Sequence, residues 1–164
     1  MIRRGLTAAA GSALGVAAMR SARRRAAARL LDAPRHGVGE AALGTALDAL
    51  GGEIVRFRAR DGVRLAGRFL AAVPAGGDWR PDPHEAILLL HGYSGSIAPD
   101  LVEYAPFLRA TAAVLGIDFR GHGDSDDGPT TFGLLEVEDV AGALAWLGER
   151  GITRVAVMGT SMGG

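Results

Sequence analysis

The stretch RVAVMGTSMGG at residues 154–164 joins a short apolar run to a glycine-rich turn. The apolar part is rich in valine, which favours a strand that is covered on both faces of a sheet. Gly159, Ser161 and Gly163 then form the pattern Gly-x-Ser-x-Gly. A serine on a sharp turn at the tip of a strand needs glycine on both sides, because side chains there would collide with the neighbouring strand and helix. The stretch therefore predicts a strand that presents Ser161 as a nucleophile.

Two earlier runs, AILLL at residues 86–90 and AAVLGID at residues 112–118, are also short and almost wholly apolar. Between them, residues 98–109 predict a helix in which Pro106 is an awkward interior residue. Ahead of the last strand, leucine and valine at helical spacing predict a second helix that begins with acidic residues and ends at Gly151. Strands and helices that alternate in this way predict a parallel sheet with helices on both faces.

A hairpin is predicted ahead of these units. Two runs that roughly alternate apolar and charged residues flank Asp61-Gly62, a dipeptide that favours tight hairpin turns. The predicted fold class is therefore α/β, with a hairpin followed by a mostly parallel sheet and flanking helices.

Composition excludes several classes of protein. The 164 residues suffice for one ordinary domain, and 48% hydrophobic with 22% charged residues excludes fibrous and disordered chains. The chain has neither cysteine nor lysine, which excludes disulfides, thiolate metal sites, Schiff-base chemistry and lysine-type phosphate loops. Asp118, His122, Asp124 and Asp126 are of metal-ligand type but crowd a single loop, so we expect no metal site there. No organic cofactor is expected either.

Charge is divided unevenly along the chain, although the formal net charge is +0. Residues 1–36 hold eight arginines and one acid, whereas residues 37–164 hold ten arginines and seventeen acids. Residues 1–31 form a basic leader that contains a weakly hydrophobic run. Three interpretations of the leader stay open: an export signal, a membrane anchor, or a helical or disordered tail of no special purpose. Membrane-associated, exported and cytoplasmic locations therefore stay open as well.

The remaining organisation follows from composition. Residues 32–52 are rich in glycine and predict mainly a linker, with a short helix toward its end. A folded domain is expected to begin near Glu53 and to occupy residues 53–164. The arginines of the leader lack interleaved aromatic residues, so we do not expect them to bind nucleic acid.

Acyl transfer by a serine needs two backbone N–H groups aimed at the developing oxyanion. One belongs to the residue after the nucleophile, Met162, and the other to the loop that follows an earlier strand. Residues 91–93 follow the strand at residues 86–90, so the N–H of Tyr93 is the candidate second donor.

Three motifs resemble the α/β-hydrolase superfamily in their order and spacing: LLLHGYSGS at residues 88–96, DFRGHGDS at residues 118–125 and MGTSMGG at residues 158–164. The most similar branch is that of the bacterial serine-aminopeptidase and monoacylglycerol-lipase-like hydrolases. The resemblance covers about residues 53–164. It implies a serine hydrolase fold, no cofactor, and a small acyl substrate of the carboxylic ester type.

Carried over to this sequence, the resemblance implies Ser161 as the nucleophile and Tyr93 and Met162 at the oxyanion-hole positions. Gly159 and Gly163 match the glycines of the elbow. In that family the catalytic acid and histidine follow the serine, whereas every acid and histidine of this chain precedes Ser161. The four histidines are His36, His84, His91 and His122.

We therefore expect the chain to be the N-terminal part of a longer serine hydrolase and to be inactive by itself. His91 and His122 are expected to be structural residues of their loops. The alternative is a non-catalytic α/β-hydrolase-like module used for binding, which would lack the acid or the histidine after its later strands.

Overall fold

The computed structural model divides the chain into two compact units, Met1–Asp32 and Ala33–Gly164. The residues it describes are 18–29, 31–37, 39–76, 78 and 80–164. In the first unit, residues 18–29 form an exposed helix, α1. Among the described residues, no helix is both long and apolar enough to cross a membrane. Most of the apolar run of the predicted leader lies outside the described residues, so the three interpretations of residues 1–31 stay predictions.

A five-stranded mixed sheet forms the centre of the second unit. Its strands are β1 (Glu53–Arg58), β2 (Arg64–Leu70), β3 (Glu85–Leu90), β4 (Ala113–Ile117) and β5 (Arg154–Gly159). They lie in the order β1-β2-β4-β3-β5. Strands β1 and β2 form an antiparallel hairpin, β2 is antiparallel to β4, and β3 is parallel to both β4 and β5. The predicted fold class, a hairpin followed by a mostly parallel sheet, is confirmed.

Helices cover both faces of the sheet. A 3-10 turn at Glu40–Leu43 leads into α2 (Gly44–Leu50), and the longer helices are α3 (Ala98–Leu108) and α4 (Glu136–Glu149). Pro106 lies inside α3 in its last turn, so the backbone hydrogen bond that proline cannot donate is lost only at the end of the helix. The acidic first turn of α4 faces the positive end of the helix dipole.

Consecutive leucines of β3 serve two separate cores, because side chains alternate across a strand. Leu88 and Leu90 pack in the cluster beneath α4, whereas Leu89 packs in the cluster beneath α3. Each of the three leucines is at most 4% exposed. Because both faces of β3 are buried, its sequence is a continuous apolar run and does not alternate. Burial of such a side chain contributes about 1.5–3 kcal/mol.

The segment predicted as a linker packs against the sheet. Leu47 and Leu50 of α2 contact the α3-side core. The Arg68 guanidinium of β2 donates hydrogen bonds to the carbonyl oxygens of Leu47 and Gly51, at 2.9 and 3.0 Å. Residues 33–52 thus contribute to the folded body, and the predicted domain boundaries stay a prediction.

Candidate active site

Ser161 directly follows Thr160 at the carboxyl end of β5 and is exposed. Its φ of 51° is left-handed, a conformation that costs a residue with a side chain about 1–3 kcal/mol. Thr160 anchors the turn on both sides. Its N–H donates to the carbonyl oxygen of Leu90 at 3.1 Å, and its hydroxyl donates to the Asp100 carboxylate at 3.2 Å. The turn is therefore tied to β3 and α3 while it presents a strained serine.

The two glycines around this serine lie too close to backbone for any side chain. A Cβ on Gly159 would overlap the carbonyl group of Gly163. A Cβ on Gly163 would lie 2.6 Å from the carbonyl oxygen of Leu90 and 2.8 Å from that of His91. These contacts are the collisions that the Gly-x-Ser-x-Gly pattern predicts.

The loop after β3 runs beside the serine. A Cβ on Gly92 would lie 3.3 Å from the Cβ of Ser161, so the backbone of this loop borders the nucleophile. Tyr93, whose N–H is the predicted oxyanion donor, is the next residue and is half-buried. Met162 follows Ser161 in the turn. The structure thus brings Ser161, Met162 and the Gly92-Tyr93 loop together, and the roles assigned to them stay predictions.

His91 links two loops and has no nitrogen left for proton transfer. Its Nδ1 donates to the carbonyl oxygen of Gly92 at 2.7 Å, and its Nε2 accepts the N–H of Phe119 at 3.0 Å. The ring is 1% exposed, and burial lowers the pKa of His91 to about 4. The residue is therefore neutral at pH 7 and structural, as expected.

The contacts of the other histidines are with groups other than Ser161. His122 is fully buried against His91, with ring centroids 5.0 Å apart, and its Nδ1 bonds the carbonyl oxygen of Arg120. Among the described residues, its Nε2 has no hydrogen-bond partner. His84 precedes the amino end of β3, whereas Ser161 follows the carboxyl end of the parallel neighbour β5. His36 lies 3.3 Å from Glu40.

Asp118 ties the loop after β3 to the loop after β4. Its carboxylate accepts the N–H of Ile97 at 2.8 Å and the N–H of Asp124 at 3.0 Å. Burial raises the pKa of Asp118 to about 6. In the part of the chain that the structure describes, no three His, Asp or Glu side chains are arranged to hold a metal ion.

A short segment ahead of α2, residues 34–37 with Gly39 and Glu40, fastens both loops; we name these residues the strap. The carbonyl oxygens of Pro34 and Arg35 accept the N–H groups of Gly95 and Gly123, at 2.8 and 2.7 Å. The Arg35 guanidinium donates to the carbonyl oxygens of Gly123 and Ser125, at 3.0 and 2.7 Å. The strap therefore holds the loop after β4 and the loop after β3, and the second of these borders Ser161 at Gly92.

Glu40 completes the strap. Its carboxylate accepts hydrogen bonds from the N–H and the hydroxyl of Ser96, at 2.8 and 2.9 Å. Burial opposes ionisation of this carboxyl, but the hydrogen bonds from Gly37 and Ser96 outweigh it and hold the pKa of Glu40 below its ordinary value. Sequence reasoning missed the strap, since a polar segment without periodicity gives no sign of what it contacts.

Sequence reasoning also missed Phe132, an aromatic residue in the loop before α4. Its ring stacks on that of Tyr93, with centroids 5.3 Å apart and planes at 23°. A single aromatic residue in a loop carries no signal in the sequence, because its partner is 39 positions away.

Residues 87–164 match the model of the alpha/beta hydrolase family. This is an α/β-hydrolase fold. The esterase Pf2001 of Pyrococcus furiosus is 26% identical, with a TM-score of 0.58 over 79% of this chain and 49% of that chain. An alpha/beta hydrolase from Novosphingobium aromaticivorans is 29% identical, with a TM-score of 0.50 over 68% of this chain and 36% of that chain.

An α/β serine hydrolase without lid from Xanthomonas campestris shares the same fold, at 22% identity, with a TM-score of 0.55 over 68% of this chain and 51% of that chain. No curated protein matches the chain. The chain thus spans about half the length of the Pyrococcus esterase. The resemblance to the α/β-hydrolase superfamily is confirmed, while the branch stays a prediction.

Proposed function

We propose that this α/β-hydrolase fold carries the nucleophile of a serine hydrolase that cleaves a carboxylic ester or a related acyl substrate. The observation that carries the proposal is the conformation of Ser161. It is exposed and left-handed at the end of β5, between two glycines that admit no side chain. Backbone strain of this kind persists at catalytic sites, where the surrounding structure fixes it. The likeness to esterase Pf2001 supports an ester as the substrate.

In the proposed reaction, the hydroxyl oxygen of Ser161 attacks the carbonyl carbon and its proton passes to a histidine base. The oxyanion accepts hydrogen bonds from the N–H groups of Tyr93 and Met162. The alcohol leaves with the proton from the histidine, and an acyl group stays on Ser161. Water, deprotonated by the same histidine, then releases the carboxylic acid and restores the serine.

The base is proposed to belong to the part of the α/β-hydrolase fold that corresponds to the unmatched half of the Pyrococcus esterase. His91 is fully engaged by Gly92 and Phe119, and His122 is buried behind it. A catalytic carboxylate is proposed to lie in the same further part. Residues 1–164 alone should then be inactive, because a serine without a base is a weak nucleophile.

A fluorophosphonate probe tests the assignment in the full-length protein. We expect Ser161→Ala to abolish covalent labelling. Ser94→Ala is the matched control, since Ser94 is also exposed and left-handed, with φ 63°, and it should label like the wild type. Labelling that survives Ser161→Ala would overturn the assignment. A folded wild-type protein that takes no label would favour the non-catalytic binding module.

A further inference from the structure

We propose that Phe132 and Tyr93 form an apolar subsite that binds the hydrocarbon part of the substrate next to Ser161. The inference rests on the proposed function and adds the class of substrate group that the site selects. The Tyr93 ring belongs to the residue after Gly92, whose backbone borders the serine. The Phe132 ring stacks on it, so the two rings form one continuous aromatic surface at the loop whose backbone borders the nucleophile.

The turn that carries Phe132 is built around a buried carboxylate. Glu136 is 3% exposed and accepts the N–H and the hydroxyl of Thr131, both at 2.7 Å, and the N–H of Gly133 at 2.8 Å. The Thr131 hydroxyl also accepts the N–H of Leu135 at 2.8 Å. Burial opposes ionisation of Glu136, but the bonds from Thr131 hold its pKa below the ordinary value. These hydrogen bonds fix the backbone of Thr131 and Gly133, the residues on either side of Phe132.

Between Thr131 and Gly133, Phe132 adopts a conformation that is unfavourable for its type. Its φ is 52°, which a bulky residue rarely adopts. The side chain is nevertheless 57% exposed, so burial offsets little of this cost. Leu134, two residues further on, is 76% exposed. A rigid turn that holds a strained, exposed aromatic residue against Tyr93, in the loop that borders the candidate nucleophile, points to a ligand that covers the ring.

The chemistry of this surface defines what it binds. The Tyr93 and Phe132 rings offer aromatic carbon, which favours an alkyl or aryl group over a charged or sugar-like one. The hydrocarbon can belong to the acyl chain or to the alcohol of the ester. Two series of esters distinguish these sources: p-nitrophenyl acetate against p-nitrophenyl octanoate, and methyl acetate against octyl acetate.

The test measures kcat/KM of the full-length protein for both members of each series. Phe132→Asn and Phe132→Gly remove the ring but retain a residue that adopts left-handed backbone readily. We expect both variants to lower the long-to-short ratio about tenfold in one series. Phe132→Tyr should keep the ratio. Phe107→Asn is the matched control, because Phe107 is 77% exposed in the last turn of α3, next to the amino end of β4.

The outcomes separate this inference from the proposed function. A long-to-short ratio within twofold of the wild type in both series overturns the subsite, and so does an equal fall in Phe107→Asn. Fluorophosphonate labelling that still depends on Ser161 leaves the proposed function intact in those cases. If no labelling depends on Ser161, both are overturned. Thermal unfolding of Phe132→Gly at or above the wild-type temperature shows that a lost ratio reflects binding and not folding.

Discussion

Three residues with side chains hold left-handed backbone in the described structure, and all three lie in loops around the candidate site. They are Ser94, Phe132 and Ser161. The first follows β3, the second precedes α4, and the third follows β5. At the residue scale, the site is therefore marked more clearly by backbone strain than by any charged group.

The elbow glycines give a prediction at this scale. Gly159→Ala should lower the free energy of unfolding by about 1–3 kcal/mol, because the new methyl group overlaps the carbonyl group of Gly163. Urea unfolding measures the change. Gly148→Ala is the control, since a Cβ there meets no atom within 4 Å and the site is in α4. Its free energy of unfolding should stay equal or rise. Equal losses in both variants would contradict the steric explanation.

At the scale of elements, the strap gives a second prediction. Glu40→Ala leaves the N–H and the hydroxyl of Ser96 without their acceptor. A buried hydrogen-bond donor that lacks an acceptor lowers the free energy of unfolding by about 1–3 kcal/mol. We expect faster hydrogen exchange at the amides of Ser96 and Gly95. Asp48→Ala serves as the control, because Asp48 is 82% exposed and 3.9 Å from Arg68, a contact of little energy. Unchanged exchange in Glu40→Ala would show that the strap does not hold the loop.

The same scale shows how far the sequence determines the structure. All five strands and the helices α3 and α4 are predicted, because each buries a periodic or continuous apolar pattern. The turn at Ser161 is predicted since its glycines are required by geometry. The strap and Phe132 are not predicted, because Arg35, Glu40 and Phe132 act through contacts with distant loops. Residues that position a site by long-range hydrogen bonds or stacking leave no local pattern.

At the scale of the whole molecule, two buried groups respond to acid with opposite sign. His91 has a pKa of about 4 in the folded protein, below its value of 6.5 in the unfolded chain. Its contribution to the free energy of unfolding is therefore lost as the pH falls from 6.5 to 4. Asp118 has a pKa of about 6 in the folded protein, above its value of 3.8 in the unfolded chain. Its contribution to the free energy of unfolding therefore grows as the pH falls from 6 to 3.8. Each effect is on the order of 3 kcal/mol. They largely cancel between pH 6 and 4.

Asp118→Asn should reveal the effect of His91 on the pH dependence of stability. Without the opposing carboxyl, the free energy of unfolding should fall more steeply between pH 6 and 4 than in the wild type. Urea unfolding at several pH values measures both slopes, and the comparison of slopes is independent of the stability that the variant loses at pH 7. Identical slopes would contradict the opposing roles of His91 and Asp118.

The order of the strands also bears on how the chain is made. Strand β2 pairs on its inner edge with β4, although about 40 residues separate Leu70 from Ala113. A ribosome adds roughly 5–20 residues per second, so the hairpin waits about 2–8 s for this neighbour. During that interval the nascent chain displays unpaired backbone along a strand with an apolar face. Slower translation lengthens the wait, and the hairpin is then the segment on which association between growing chains should begin.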